Sequence, residues 1–167
     1  MDKREKDYYF NMFLNLIRAT YMNLEKNWED VAKEAGLTHA QQHALWILHL
    51  DDGLTLEELG NIALWNKSTT SALISRLEKK GYVKKHKYLN NSRTIKIYIT
   101  DEGKAVLDKS VGTKYAFEFM GLFEHFEHEE IETFLKTLHR ISDMVGTWDL
   151  TDFQKFLETS SKSLLKK

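Results

Sequence analysis

Apolar residues recur at three- and four-residue steps through the first part of the chain, at Phe10, Phe13, Leu14, Ile17, Tyr21, Leu24, Trp28 and Val31. Such spacing lines one stripe of an α-helix and predicts a long helix over about 7–34, ended by Gly36. A second helix opens at Thr38, which with Gln41 forms a T-x-x-Q capping box, and stops at Asp51-Asp52-Gly53. Thr55 and Glu58 repeat the device for a third helix carrying Leu56, Leu59 and Ile62. After a turn at Leu64-Trp65-Asn66, a fourth helix is expected over about 67–80, with Leu73, Ile74 and Leu77 inward and Gly81 as its stop.

The apolar period then changes to that of a strand. Tyr82–Tyr88 and Thr94–Thr100 alternate around the polar turn Leu89-Asn90-Asn91-Ser92-Arg93, which reads as a hairpin. Thr100 caps a fifth helix expected over about 101–126, and a sixth follows over about 129–145. A last helix is expected to open at Thr151, with Gln154 completing a third capping box and Phe153, Phe156 and Leu157 on one face.

Charge sharpens this picture. From Lys67 to Tyr98 stand nine Lys/Arg against one acid, Glu78, a net of +8, while the whole chain is −1 and the remainder therefore −9. Cations gathered in one module of an otherwise acidic chain point to a polyanionic partner. Without cysteine there are no disulfides or thiolate metal sites. The charged start shows no signal region, and no apolar run approaches the ~20 residues of a membrane span, so a cytoplasmic protein with no membrane partner is expected. No nucleophile elbow, Gly-rich phosphate loop or H-E-x-x-H appears, and an enzyme is not expected.

Helix, short turn, helix, glycine, hairpin is the order of a winged helix-turn-helix, in which one helix enters a DNA major groove and a hairpin tip reaches the minor groove. The fold class expected is mainly α with a small β-wing. On this reading Lys67, Ser68, Thr69, Thr70, Ser71, Ser75 and Arg76 of the fourth helix meet double-stranded DNA, with Lys84, Asn91 and Arg93 from the hairpin. Lys79, Lys80, Lys84 and Lys85 are placed for phosphates. An arginine at a hairpin tip suits a narrow, electronegative minor groove. The plainer alternatives are capping for the Ser/Thr run and solvation for the lysines.

Asn91-Ser92-Arg93 followed by Thr100-Asp101-Glu102-Gly103, with Leu77-Glu78-Lys79-Lys80-Gly81-Tyr82-Val83 before it, resembles the wing signature of the MarR (multiple antibiotic resistance regulator) family. That signature is Asp-x-Arg with Thr-x-x-Gly downstream; the aspartate is Asn91 here, which offers the arginine no charge-assisted pairing. Further pieces, His43-Ala-Leu-Trp-Ile, Leu56-Glu-Glu-Leu and Phe156-Leu-Glu-Thr-Ser, are similar to a bacillar branch controlling protease production. The resemblance implies a homodimer that binds pseudo-palindromic operators and represses transcription, including that of extracellular protease or sporulation-type genes. It also implies a DNA-binding lobe over 37–100 and a helical dimerisation lobe from 1–36 and 101–167, with the last helix packed on the latter.

Other constellations offer competing chemistry. His39 and His43 have i, i+4 spacing suited to a metal, and some relatives sense zinc through the second and fifth helices, but Thr113 and Phe117 stand where the fifth-helix ligands would be; no metal or cofactor is expected. His125 and His128 sit in an acidic junction read as a solvated turn. The aromatic stripe Tyr115, Phe117, Phe119, Phe123 and Phe126 fits core and dimer packing better than an effector cleft. A ligand- or metal-responsive sensor and a protein-docking adaptor are the rival functions; the effector and operator are not legible.

Overall fold

Capping chemistry sets most of the helix starts. In the computed structural model, which describes residues 1–87, 94–112 and 121–165, helix α1 spans Lys3–Glu34. It begins before its apolar stripe because the Asp2 carboxylate accepts from the Glu5 N–H at 2.9 Å while Glu5 accepts from the Asp2 N–H at 2.8 Å. Helix α2 (His39–Leu50) and helix α3 (Leu56–Ala63) open with the expected Thr38/Gln41 and Thr55/Glu58 boxes. The backbone hydrogen bond from Thr55 also holds the Glu58 carboxyl below its ordinary pKa. Helix α4 is Lys67–Lys79, followed by Gly81 at φ +76°.

The hairpin strands are β2 (Val83–Lys87) and β3 (Ile95–Ile99), and a two-residue strand β1 (Leu54–Thr55), not foreseen from the sequence, completes an antiparallel sheet of order β1-β3-β2. Pairing Val83 with Ile99, Lys85 with Ile97 and Lys87 with Ile95 sets these residues on one face; Lys84, Tyr98, His86 and Lys96 share the other. The first face closes a core with Leu45, Ile47 and Leu48 of α2, Leu59 of α3, and Leu73, Ile74 and Leu77 of α4. Each such side chain contributes about 2 kcal/mol by leaving water. Asp52 anchors the sheet edge: its carboxylate accepts from the Ile99 N–H at 3.0 Å and from the Gly53 N–H at 3.1 Å.

Helix α5 (Asp101–Val111) shows why Thr-x-x-Gly stands after the wing. The Thr100 hydroxyl accepts from the Gly103 N–H at 3.0 Å and donates to the Gly81 carbonyl at 2.7 Å. A Cβ on Gly103 would overlap the Tyr82 carbonyl oxygen, so a side chain is excluded there. Leu107 carries α5 into the winged-lobe core. The expected continuous helix to 126 is not formed as such: α5 ends at Val111, residues 113–120 lie outside those described, and Gly121–His125 is a 3-10 turn.

Helix α6 (His128–Val145) and helix α7 (Thr151–Leu164) complete the described chain. The third capping box does not form. Leu150 is the N-cap, Asp149 takes the Thr151 N–H at 3.0 Å, and Gln154 donates instead to Asp143 of α6 at 3.0 Å. Nor does α7 rest only against the helices outside the winged lobe. It docks on α3, where Asn61 donates to the Asp152 carboxylate at 2.8 Å and Phe156 packs against the core.

Only the C-terminal part of α1 is embedded in this chain. Val31 and Ala32 are buried, whereas Phe10, Leu14 and Tyr21 are 65%, 49% and 61% exposed. Phe134 and Leu135 of α6 are exposed as well.

Candidate nucleic-acid interface

The turn into α4 is built tightly. Leu64, the one non-glycine residue of positive φ among the described residues (φ +56°), closes α3 in the left-handed conformation. Asn66 then caps α4, accepting from the Thr69 N–H at 2.9 Å and the Ser68 hydroxyl at 2.7 Å. Helices α3 and α4 approach closely because Gly60 has no side chain: a Cβ there would lie 2.9 Å from the Thr70 hydroxyl oxygen.

That contact corrects the reading of Thr70. It is fully buried, and its hydroxyl donates to the Asn66 carbonyl at 3.0 Å, so it joins the two helices and presents nothing to a partner. Thr70, Leu73, Ile74 and Leu77 form an i, i+3, i+4, i+7 set, a signal already present in the sequence. At about 100° per residue, the side of α4 opposite this set centres on Ser68, Ala72, Ser75 and Lys79, flanked by Ser71 and Arg76. Ser68, Ser71, Ala72, Arg76 and Lys79 are exposed and Ser75 is partly so. Ala72 escaped the sequence reading. Ser68, Ser71, Ala72 and Ser75 leave the helix backbone accessible to a groove wall, with Arg76 on one flank and Lys79 at the C-terminal end of the same face.

Lys67 and Thr69 are exposed in the first turn. Lys67 shares an open groove of about 590 Å³ with Leu56, Asn61, Trp65, Thr94 and Ile95, so the start of α4 and the root of the hairpin line one concavity. Asn91 and Arg93 lie outside the described residues. Lys84 is exposed but stands on the ribbon face with Tyr98, opposite the core-facing side.

Two lysines read as phosphate contacts are engaged within the chain. Lys85 pairs with Glu78 at 2.7 Å, and Lys80 donates to the Gly36 carbonyl at 3.3 Å and the Gln41 side chain at 3.4 Å.

Behind the turn, the His43 ring lies 4.8 Å from that of Trp28 and 5.5 Å from that of Trp65. Burial, with a smaller effect from His39, lowers its pKa to about 4. His39 pairs instead with Glu25 at 3.8 Å, and among the described residues no three His, Asp or Glu side chains gather as a metal site. Among them too, no helix is long and apolar enough to cross a membrane.

Comparison with known proteins matches this geometry to one family. A sequence profile described as MarR family matches residues 37–95. The DNA-binding transcriptional repressor ScoC of Bacillus subtilis is 28% identical over 63% of this chain and 52% of its own length. The chain spans about half the length of the first curated relatives it matches. A crystal structure of the MarR family transcription regulator SP03579 superposes with a TM-score of 0.72 at 18% identity, covering 84% of this chain and 92% of that one. The S. aureus MepR–DNA complex gives 0.70 at 19% identity, covering 80% and 98%. Helix order, wing and profile match agree: residues 37–95 match the MarR family profile, and the chain has the winged-helix fold of the MarR regulators it superposes on.

Proposed function

We propose that this protein is a homodimeric repressor that binds pseudo-palindromic operators in double-stranded DNA through α4 and the basic ribbon. The observation that carries the reading is the outward face of α4, small along most of its length with Arg76 beside it and Lys67 and Lys79 at its two ends, opening beside the hairpin root. Ser68, Ser71, Ala72 and Ser75 would read base edges, while Lys67, Arg76 and Lys79 meet phosphates. Arg93, with Asn91 beside it, would enter the minor groove, and Lys84 would serve the flanking backbone. Lys80 and Lys85 have other partners and are left out.

Dimerisation is supported by the apolar stripe of α1 and the exposed Phe134 and Leu135 of α6, which a second copy would cover. The repressor name belongs to ScoC and a DNA complex to MepR; both lend weight to the same reading here. Control of extracellular protease or sporulation-type genes is the corresponding proposal for targets, and the cytoplasm for location.

Selection from a random duplex library by the purified full chain tests this. An enriched inverted repeat with half-sites about 10 bp apart or a multiple, bound by a dimer in sedimentation, is the expected result. No enriched sequence, or binding by a monomer, would overturn it. Arg93→Ala should weaken operator binding strongly and leave the dimer intact.

A further inference from the structure

The profile match ends at residue 95, yet the last helix reaches back onto the matched region. On one side of α7, Asp152 accepts from Asn61 of α3 at 2.8 Å, and Phe156 lies with Ile62 in a cleft that also holds Glu58 and Lys155. On its other side, Gln154 holds Asp143 of α6 at 3.0 Å. The link between the two helices is crowded at Gly146, where a Cβ would come within 3.0 Å of the Ser142 carbonyl and 3.6 Å of the Leu150 side chain. Helix α3 is in turn locked to α4 where Gly60 meets Thr70.

We propose that α7 is a brace that fixes the α3–α4 pair relative to α6, and that Asp152 and Phe156 thereby set the half-site spacing the dimer accepts. The inference rests on the DNA reading above. Inserting one base pair between half-sites moves them apart by about 3.4 Å and rotates one by about 35°, which a rigid pair of reading helices cannot follow. A pair released from its braces can.

The test uses the full chain, the operator selected by the wild-type protein, and copies with one base pair added to or removed from the centre. Wild type should lose about tenfold or more in affinity on either change, whereas Asp152→Ala/Phe156→Ala should lose less than about threefold relative to its own best site. Asp152→Asn, which keeps an acceptor for Asn61, should retain the wild-type profile. Should the double variant fail to fold or dimerise by circular dichroism and sedimentation, Asp152→Ala alone makes the same comparison. Uniformly weaker binding with an unchanged spacing profile would overturn the brace, because a merely stabilising role predicts that outcome. Failure of the wild type to select any operator would instead overturn the DNA reading itself.

Discussion

His43 ties a pH dependence of stability to one packing arrangement. Held between Trp28 and Trp65, its ring has a pKa lowered from 6.5 to about 4, chiefly by burial. Between those values the unfolded chain binds a proton that the folded chain does not, so unfolding becomes easier as the solution is acidified. The neutral ring's contribution is complete above pH 6.5 and is lost as pH falls toward 4. The full shift corresponds to about 3 kcal/mol, of which about 2 kcal/mol disappears between pH 7 and 5. Urea unfolding followed by tryptophan fluorescence, at one protein concentration, measures it. His43→Phe keeps an aromatic ring between the indoles and removes the titration, so its loss over the same interval should be about 2 kcal/mol smaller. Glu58, held below its ordinary 4.5, titrates lower and is common to both proteins. Equal pH slopes for the two would refute the neutral, buried histidine.

Other substitutions probe the wing and the interface separately. Gly103→Ala forces a methyl onto the Tyr82 carbonyl and should lower stability by about 3 kcal/mol or more, visible as a fall in Tm. Asp52→Ala strips the Ile99 N–H of its carboxylate and should cost about 1–2 kcal/mol in urea unfolding, with most of it recovered in Asp52→Asn. Lys67→Ala should weaken binding to all duplex sequences alike and flatten the salt dependence by about one unit of log–log slope per protomer, whereas base-specific loss would mark it as a reading residue.

How much was legible followed from how local each interaction is. The Thr38/Gln41 and Thr55/Glu58 boxes close within four residues and formed as read. Thr151 and Gln154 have the same spacing, but Asp149 and Asp143 compete for the same groups, and the second belongs to another helix. The apolar stripe of α7 reads in the sequence as packing on the dimerisation lobe, and only the Asn61–Asp152 contact identifies α3 as its partner. In α4 the residue types suggested an interface, while helical phase separates buried Thr70 from exposed Ser68 and Ser71 and adds Ala72. Strand β1 is only two residues long, too short for alternation to reveal.

Duplex affinity measured by fluorescence anisotropy across a salt series bears most directly on the α4-and-ribbon interface. If a dimer sets about eight cations against phosphates, log K should fall linearly with log salt at a slope of about −7. Affinity indifferent to salt, or no binding at low salt, would contradict a basic surface built to hold DNA.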